Sequence, residues 1–79
     1  MTFNELESVV LLKDVPDAGL RAGDLGAVVH VYEPNSLEVE FVRTQGRTQA
    51  LLTLAATDVR GIRGTDMTCV RPTDGPALP

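Results

Sequence analysis

GLRAGDLGAVVHVYEPNSLEVEF, residues Gly19 to Phe41, decides how this chain folds. Its second half carries the plainest pattern. Leu37, Val39 and Phe41 alternate with Glu38 and Glu40, the period of two expected of a strand with one dry and one wet face. Glu33-Pro34-Asn35-Ser36 before it reads as a turn, because proline presets one backbone angle and asparagine tolerates the left-handed region. Upstream of the turn, AVVHVY has Ala27, Val29 and Val31 on one face and Val28, His30 and Tyr32 on the other. Apolar residues on both faces fit a strand in a small sheet that curls on itself. Gly19, Gly23 and Gly26 read as the residues that release the chain from the loop ahead of this hairpin.

Working outward, SVVLLK, residues Ser8 to Lys13, is a short β-branched run that predicts a first strand. Between it and Gly26, Asp14 to Asp24 holds a proline, two glycines and three aspartates, a long first loop that Val15, Leu20 and Leu25 are expected to pin to the core. Arg43 to Arg47, with Gly46 at the position that needs a positive φ, predicts a second hairpin connection. Thr48 to Leu54 follows as a strand with Ala50, Leu52 and Leu54 on one face. Ala55 to Asp58 is too short for a helix and predicts a 3-10 turn before a last strand, Val59 to Ile62. The expectation is an all-β fold: a small five-stranded barrel over residues 8–62, a lead-in over 1–7 and a mostly flexible C-terminal tail over 63–79. Thr2 and Glu5 have the spacing of a capping box in the lead-in. Met67-Thr68-Cys69-Val70 is an apolar patch within the tail that is able to extend a sheet edge.

The 79 residues allow one domain, with a core thin enough for association to supplement its stability. Seven basic against eleven acidic residues give a formal charge of -4, which opposes non-specific attraction to nucleic acid phosphates and anionic membranes. A basic protein is the better-matched partner, and a homo-oligomer stays open. The single cysteine, Cys69, allows no internal disulfide and fits a reducing compartment. The N-terminal MTFNELES lacks the basic and apolar regions of a secretion signal, and no apolar run approaches a membrane span. A cytoplasmic location is therefore expected.

The runs Leu12-Lys13-Asp14, Pro16, Gly19-Leu20, Gly23-Asp24 and Gly26, with EVEFV and ALLTLAATDVR after them, resemble a bacterial family of small proteins, the domain of unknown function four-nine-two-six. The order of elements is similar to that of the SH3-like barrel. Gly23, Gly26 and Val28 also resemble, more weakly, KOW-type barrels of ribosomal and transcription proteins, which are usually basic. The likeness to the SH3-like barrel implies a fold without implying an activity, since such barrels host many unrelated functions, and the family has no settled activity to lend.

The chemistry-bearing residues are few. His30 is the only histidine and has no neighbouring nucleophile or second ligand, so a structural or solvent-facing role outweighs catalysis. Asp14, Asp17 and Asp24 share the first loop, but their spacing is not that of a calcium loop, and loop aspartates most often cap turns. No GK[ST] follows Gly23 and Gly26, which excludes a phosphate loop. No enzyme, metal or cofactor is expected. The leading expectation is a protein-binding module, in its finer form an antitoxin or immunity-type protein, with Asp14, Asp17, Arg21, Asp24, His30, Tyr32, Arg43 and Arg47 as its candidate surface. A KOW-like nucleic-acid binder and an accessory subunit of a larger complex are the alternatives.

Overall fold

A computed structural model of the chain describes residues 3–74. Thr2, and with it the capping box, and residues 75–79 of the tail lie outside the described residues. The fold is all-β, a single antiparallel sheet of five strands: β1 (Ser8–Leu11), β2 (Leu25–Tyr32), β3 (Ser36–Val42), β4 (Thr48–Ala55) and β5 (Val59–Gly61). Their order across the sheet is β4-β3-β2-β1-β5. The three middle strands form a meander, and β5 returns to pair with the outer side of β1, leaving β4 and β5 as the two edges. A 3-10 turn at Ala56–Asp58 precedes β5 as expected, and a second one at Pro16–Ala18 lies in the first loop.

The core is small and aliphatic. Val9, Leu11, Leu20, Val28, Leu37, Val39, Phe41, Leu54 and Val59 form one buried cluster, with Val15, Val31, Ala50 and Leu52 packed against it. The alternation of LEVEF is realised in full, with Leu37, Val39 and Phe41 buried and Glu38 and Glu40 on the other face. Ala50, Leu52 and Leu54 share the inner face of β4 opposite Phe41, Val39 and Leu37.

β2 does not keep its expected faces. Val28 pairs with Val39, but the next partner of β3, Glu38, lies opposite His30, so Val29 is an extra residue at a bulge. A bulge resets the period of two. Gly26 and Val28 are buried ahead of it, and Val31 packs against the core after it, while His30 and Tyr32 turn outward. Val28 therefore does not share a face with His30 and Tyr32.

The glycine that matters most to packing is Gly26. Its register opposite Val9 puts it on the inner face, where a Cβ would lie 2.6 Å from Val39 Cγ1 and 2.8 Å from Phe41 Cε1. The same register places Leu25 opposite Val10 on the outer face. Leu25 is accordingly 54% exposed and does not pin the loop, whereas Leu20 does so at 3%.

Gly26→Ala should destabilise the fold by about 1–3 kcal/mol through overpacking. The measurement is the midpoint of thermal or urea unfolding, with Gly64→Ala as the reference, since a Cβ at Gly64 meets nothing within 4 Å.

Candidate functional site

The candidate residues fall into three groups. The first is the loop between β1 and β2. Asp14 Oδ1 accepts a hydrogen bond from the Ala22 N–H at 2.9 Å, and Asp24 Oδ2 accepts one from the Arg21 N–H at 2.8 Å. Both aspartates thus cap turns of their own loop, as short acidic side chains do. Asp17 lies in the 3-10 turn Pro16–Ala18, which Gln49 Nε2 on β4 ties down by donating to the Ala18 carbonyl at 3.1 Å.

Asp24 has a further partner that lies 47 residues away. Arg71 Nε donates to Asp24 Oδ1 at 2.9 Å, and Arg71 Nη2 donates both to Asp24 Oδ2 and, at 3.0 Å, to the Gly19 carbonyl. This is a fork-on-fork pair, with both side chains only about one-fifth exposed. Burial pushes the Asp24 carboxyl up, but Arg71 and the Arg21 N–H outweigh it and hold the group below its usual value.

A second pair of the same kind sits just before it in the tail. Arg60 on β5 meets both carboxylate oxygens of Asp66 at 2.9 Å, and Asp66 Oδ2 also accepts from the Arg63 N–H at 2.7 Å. These donors hold the Asp66 carboxyl at about 2. Residues 63–74 form no strand or helix, and Met67–Val70 does not extend a sheet edge of its own chain. The segment is nonetheless tied to β5 at Asp66 and to the first loop at Arg71, and Leu25 lines both a cavity of about 530 Å³ shared with Val10 and Ile62 and one of about 650 Å³ shared with Phe41 and Arg43.

The second group lies on the outer face of the sheet. His30 and Tyr32 meet edge to face, with ring centroids 4.6 Å apart. His30 Nδ1 lies 3.4 Å from Glu5 Oε2, an ion pair whenever the ring is protonated. Tyr32 donates to Glu38 Oε1 at 3.1 Å, and Thr53 Oγ1 on β4 donates to the same oxygen at 3.3 Å. The carboxylate of Glu38, by accepting from the phenol, raises the Tyr32 pKa. Glu40 accepts from the hydroxyl of Thr48 one row further along. Tyr32 remains 42% exposed.

The third group is the hairpin tip, where Arg43 and Arg47 are exposed on either side of a turn closed by the Arg43 N–H to Arg47 carbonyl bond at 2.8 Å. Gly46 there has φ +93°, as its place in the sequence requires. Arg43 and Asp24 line the same cavity, so the first and third groups are neighbours. The second is set apart on the sheet.

Several residues of these sites carry no local signal. Arg71 acts through partners across the fold, and Arg60 and Asp66 pair over six residues around the turn that follows β5. Leu6 is 84% exposed with φ +70°, a conformation that costs a residue with a Cβ roughly 1–2 kcal/mol. It is held there by its N–H bond to the Val28 carbonyl at 2.6 Å and by the Glu7 N–H to Asn4 carbonyl bond at 3.2 Å. Glu5, the partner of His30, sits in the same turn. Among the described residues no group of three or more His, Cys, Asp or Glu is arranged to hold a metal ion, and no helix is long and apolar enough to cross a membrane.

Two outcomes are expected from the arginine pairs. Arg71→Ala should cost about 1.5–3 kcal/mol, the usual range for hydrogen bonds to a charged group, and Arg71→Lys should recover only part of it because an ammonium cannot match both carboxylate oxygens; unfolding midpoints of the three proteins check this. A depressed carboxyl stabilises the folded state fully above its unfolded value and loses that contribution as pH falls through the folded value. The Asp66 tie should therefore be intact at neutral pH and released between pH 3.8 and about 2, with Asp24 weakening in the same direction. Backbone amide shifts of residues 63–71, followed by NMR through an acid titration, report the release.

No curated protein and no solved structure matches this chain. Its sequence does match, over residues 5–61 and so over more than half of its length, the family described as Domain of unknown function (DUF4926), and the chain belongs to that family.

Proposed function

We propose that this chain is a non-enzymatic protein-binding module that meets a basic partner through the outer face of β2, β3 and β4 around Tyr32. The observation that carries the reading is the distribution of charge. β2, β3 and β4 contain no Lys, Arg or Asp, and their only charged side chains are Glu38 and Glu40, with Glu5 beside His30 at the margin. In the first loop, by contrast, Asp14 and Asp24 are engaged by the chain's own N–H groups and by Arg71. Among the described residues Asp17 is the loop's one aspartate that accepts no hydrogen bond, whereas Glu38 and Glu40 accept only from neutral hydroxyls and leave the sheet's negative charge unpaired.

Tyr32 suits the centre of such a face. A tyrosine supplies a large apolar ring and a polar tip at low entropic cost, and tyrosines are enriched where binding energy concentrates. The surrounding glutamates steer a cationic partner and speed its encounter. The same acidity repels phosphates, which disfavours the nucleic-acid reading. The strand order β4-β3-β2-β1-β5 supports the SH3-like architecture as the scaffold. An antitoxin or immunity role in the cytoplasm is the finer form of this reading, since masking a basic toxin asks for an acidic surface and no chemistry. An accessory subunit would use the same face.

A photo-crosslinking residue placed at Tyr32 and, separately, at Asp17 in the native host distinguishes the sheet from the loop. The expected outcome is an adduct with one basic protein from position 32 only. Against the purified partner, Tyr32→Ala should weaken binding by about 2 kcal/mol, roughly 30-fold, as buried aromatic anchors do, and Glu38→Gln should slow association at low salt. Adducts from position 17 alone, or from neither position, would sink the proposal.

A further inference from the structure

β4 is an edge of the sheet, and its sequence, TQALLTLA over Thr48–Ala55, contains no charge and no proline. Natural edge strands are usually protected by such residues, by a bulge or by being very short. The bulge on β4 is confined to its start, between the pairs Phe41↔Ala50 and Val42↔Thr48. From Ala50 onward the strand is regular, and the direction of its backbone groups follows from its far end. The Ala56 N–H donates to the Asn35 carbonyl at 2.8 Å, so 35 and 56 are a hydrogen-bonded pair and the next one, Ser36↔Ala55, is not. In agreement, the Ala55 N–H turns away from β3 and donates to Asp58 Oδ2 at 3.0 Å. Alternation then aims the N–H and C=O of Thr53 and Leu51 away from the sheet. No strand lies on that side among the described residues.

We propose that β4 joins a second copy of this chain, antiparallel and about a two-fold axis at Leu52, so that two five-stranded sheets become one. The pattern is self-complementary. Residues directly opposite in an antiparallel pair share a face, so an axis at Leu52 sets Ala50 against Leu54 and Leu52 against itself on the inner face. On the outer face it sets Leu51 against Thr53, whose outward N–H and C=O groups bond each other.

Charge selects the second copy as the occupant. A chain of net charge -4 repels itself over most of its surface, and β4 is an eight-residue strand without a charge. The nearest glutamates, Glu38 and Glu40 on β3, would stand three strand spacings from their counterparts, about 14 Å, beyond the screening length of about 8 Å at physiological salt. A core this small also gains from association.

Sedimentation equilibrium from micromolar to millimolar protein tests the joint. The expected result is a concentration-dependent rise toward twice the chain's 8.5 kDa, accompanied by slower hydrogen exchange at the Leu51 and Thr53 amides. Thr53→Pro removes an outward N–H without breaking a bond to β3, and should hold the protein at monomer mass with its sheet circular dichroism unchanged. A wild-type chain that stays monomeric throughout overturns the proposal and leaves the edge to a strand of another protein. So does a dimer whose Leu51 and Thr53 amides exchange as fast as in dilute solution, a readout that stands even if Thr53→Pro fails to fold.

Discussion

The contact on which this fold rests is the approach of Phe41 to the bare Cα of Gly26. Phe41 is the one aromatic ring among the nine residues of the core cluster, with Phe3 packed against it from outside. Any side chain at position 26 would occupy the ring's place. The register that puts Gly26 beneath Phe41 also puts Val9 and Val28 on the inner face and Leu25 and Val10 on the outer one, where Leu25 is exposed and Val10 is still buried. One small residue therefore fixes the faces of two strands.

The sequence is most readable where a single face is dry. In LEVEF the period of two survives intact because β3 is bonded on both sides and the extra residues of both bulges fall on its neighbours, β2 and β4. It is least readable at Val29. A bulge adds a residue without changing composition, so a run such as AVVHVY cannot show where its faces exchange. Leu25 was likewise expected inside on hydrophobicity alone, and register overrode that preference. The candidate site divides the same way. His30 and Tyr32 stand out as lone polar groups in an apolar strand, whereas the Asp24 to Arg71 pair joins positions 47 apart, a separation at which no spacing rule operates.

The chain's acidity is deployed in two distinct ways. Aspartates, with short side chains, satisfy backbone N–H groups and arginines close to their own loops, as Asp14, Asp24, Asp58 and Asp66 do. Glutamates on the sheet reach across strands to hydroxyls, as Glu38 and Glu40 do with Tyr32, Thr53 and Thr48, and keep lone pairs toward solvent. The first set organises the fold. The second gives the sheet a surface that favours cationic neighbours.

The arginine fork at position 71 lies beyond the last residue of the family match, Gly61, yet it neutralises a carboxylate inside it. A polypeptide trimmed to the matched boundary would keep every strand and leave Asp24 without the guanidinium that pairs with it in the intact chain. The matched unit and the electrostatically complete unit of this chain therefore have different ends.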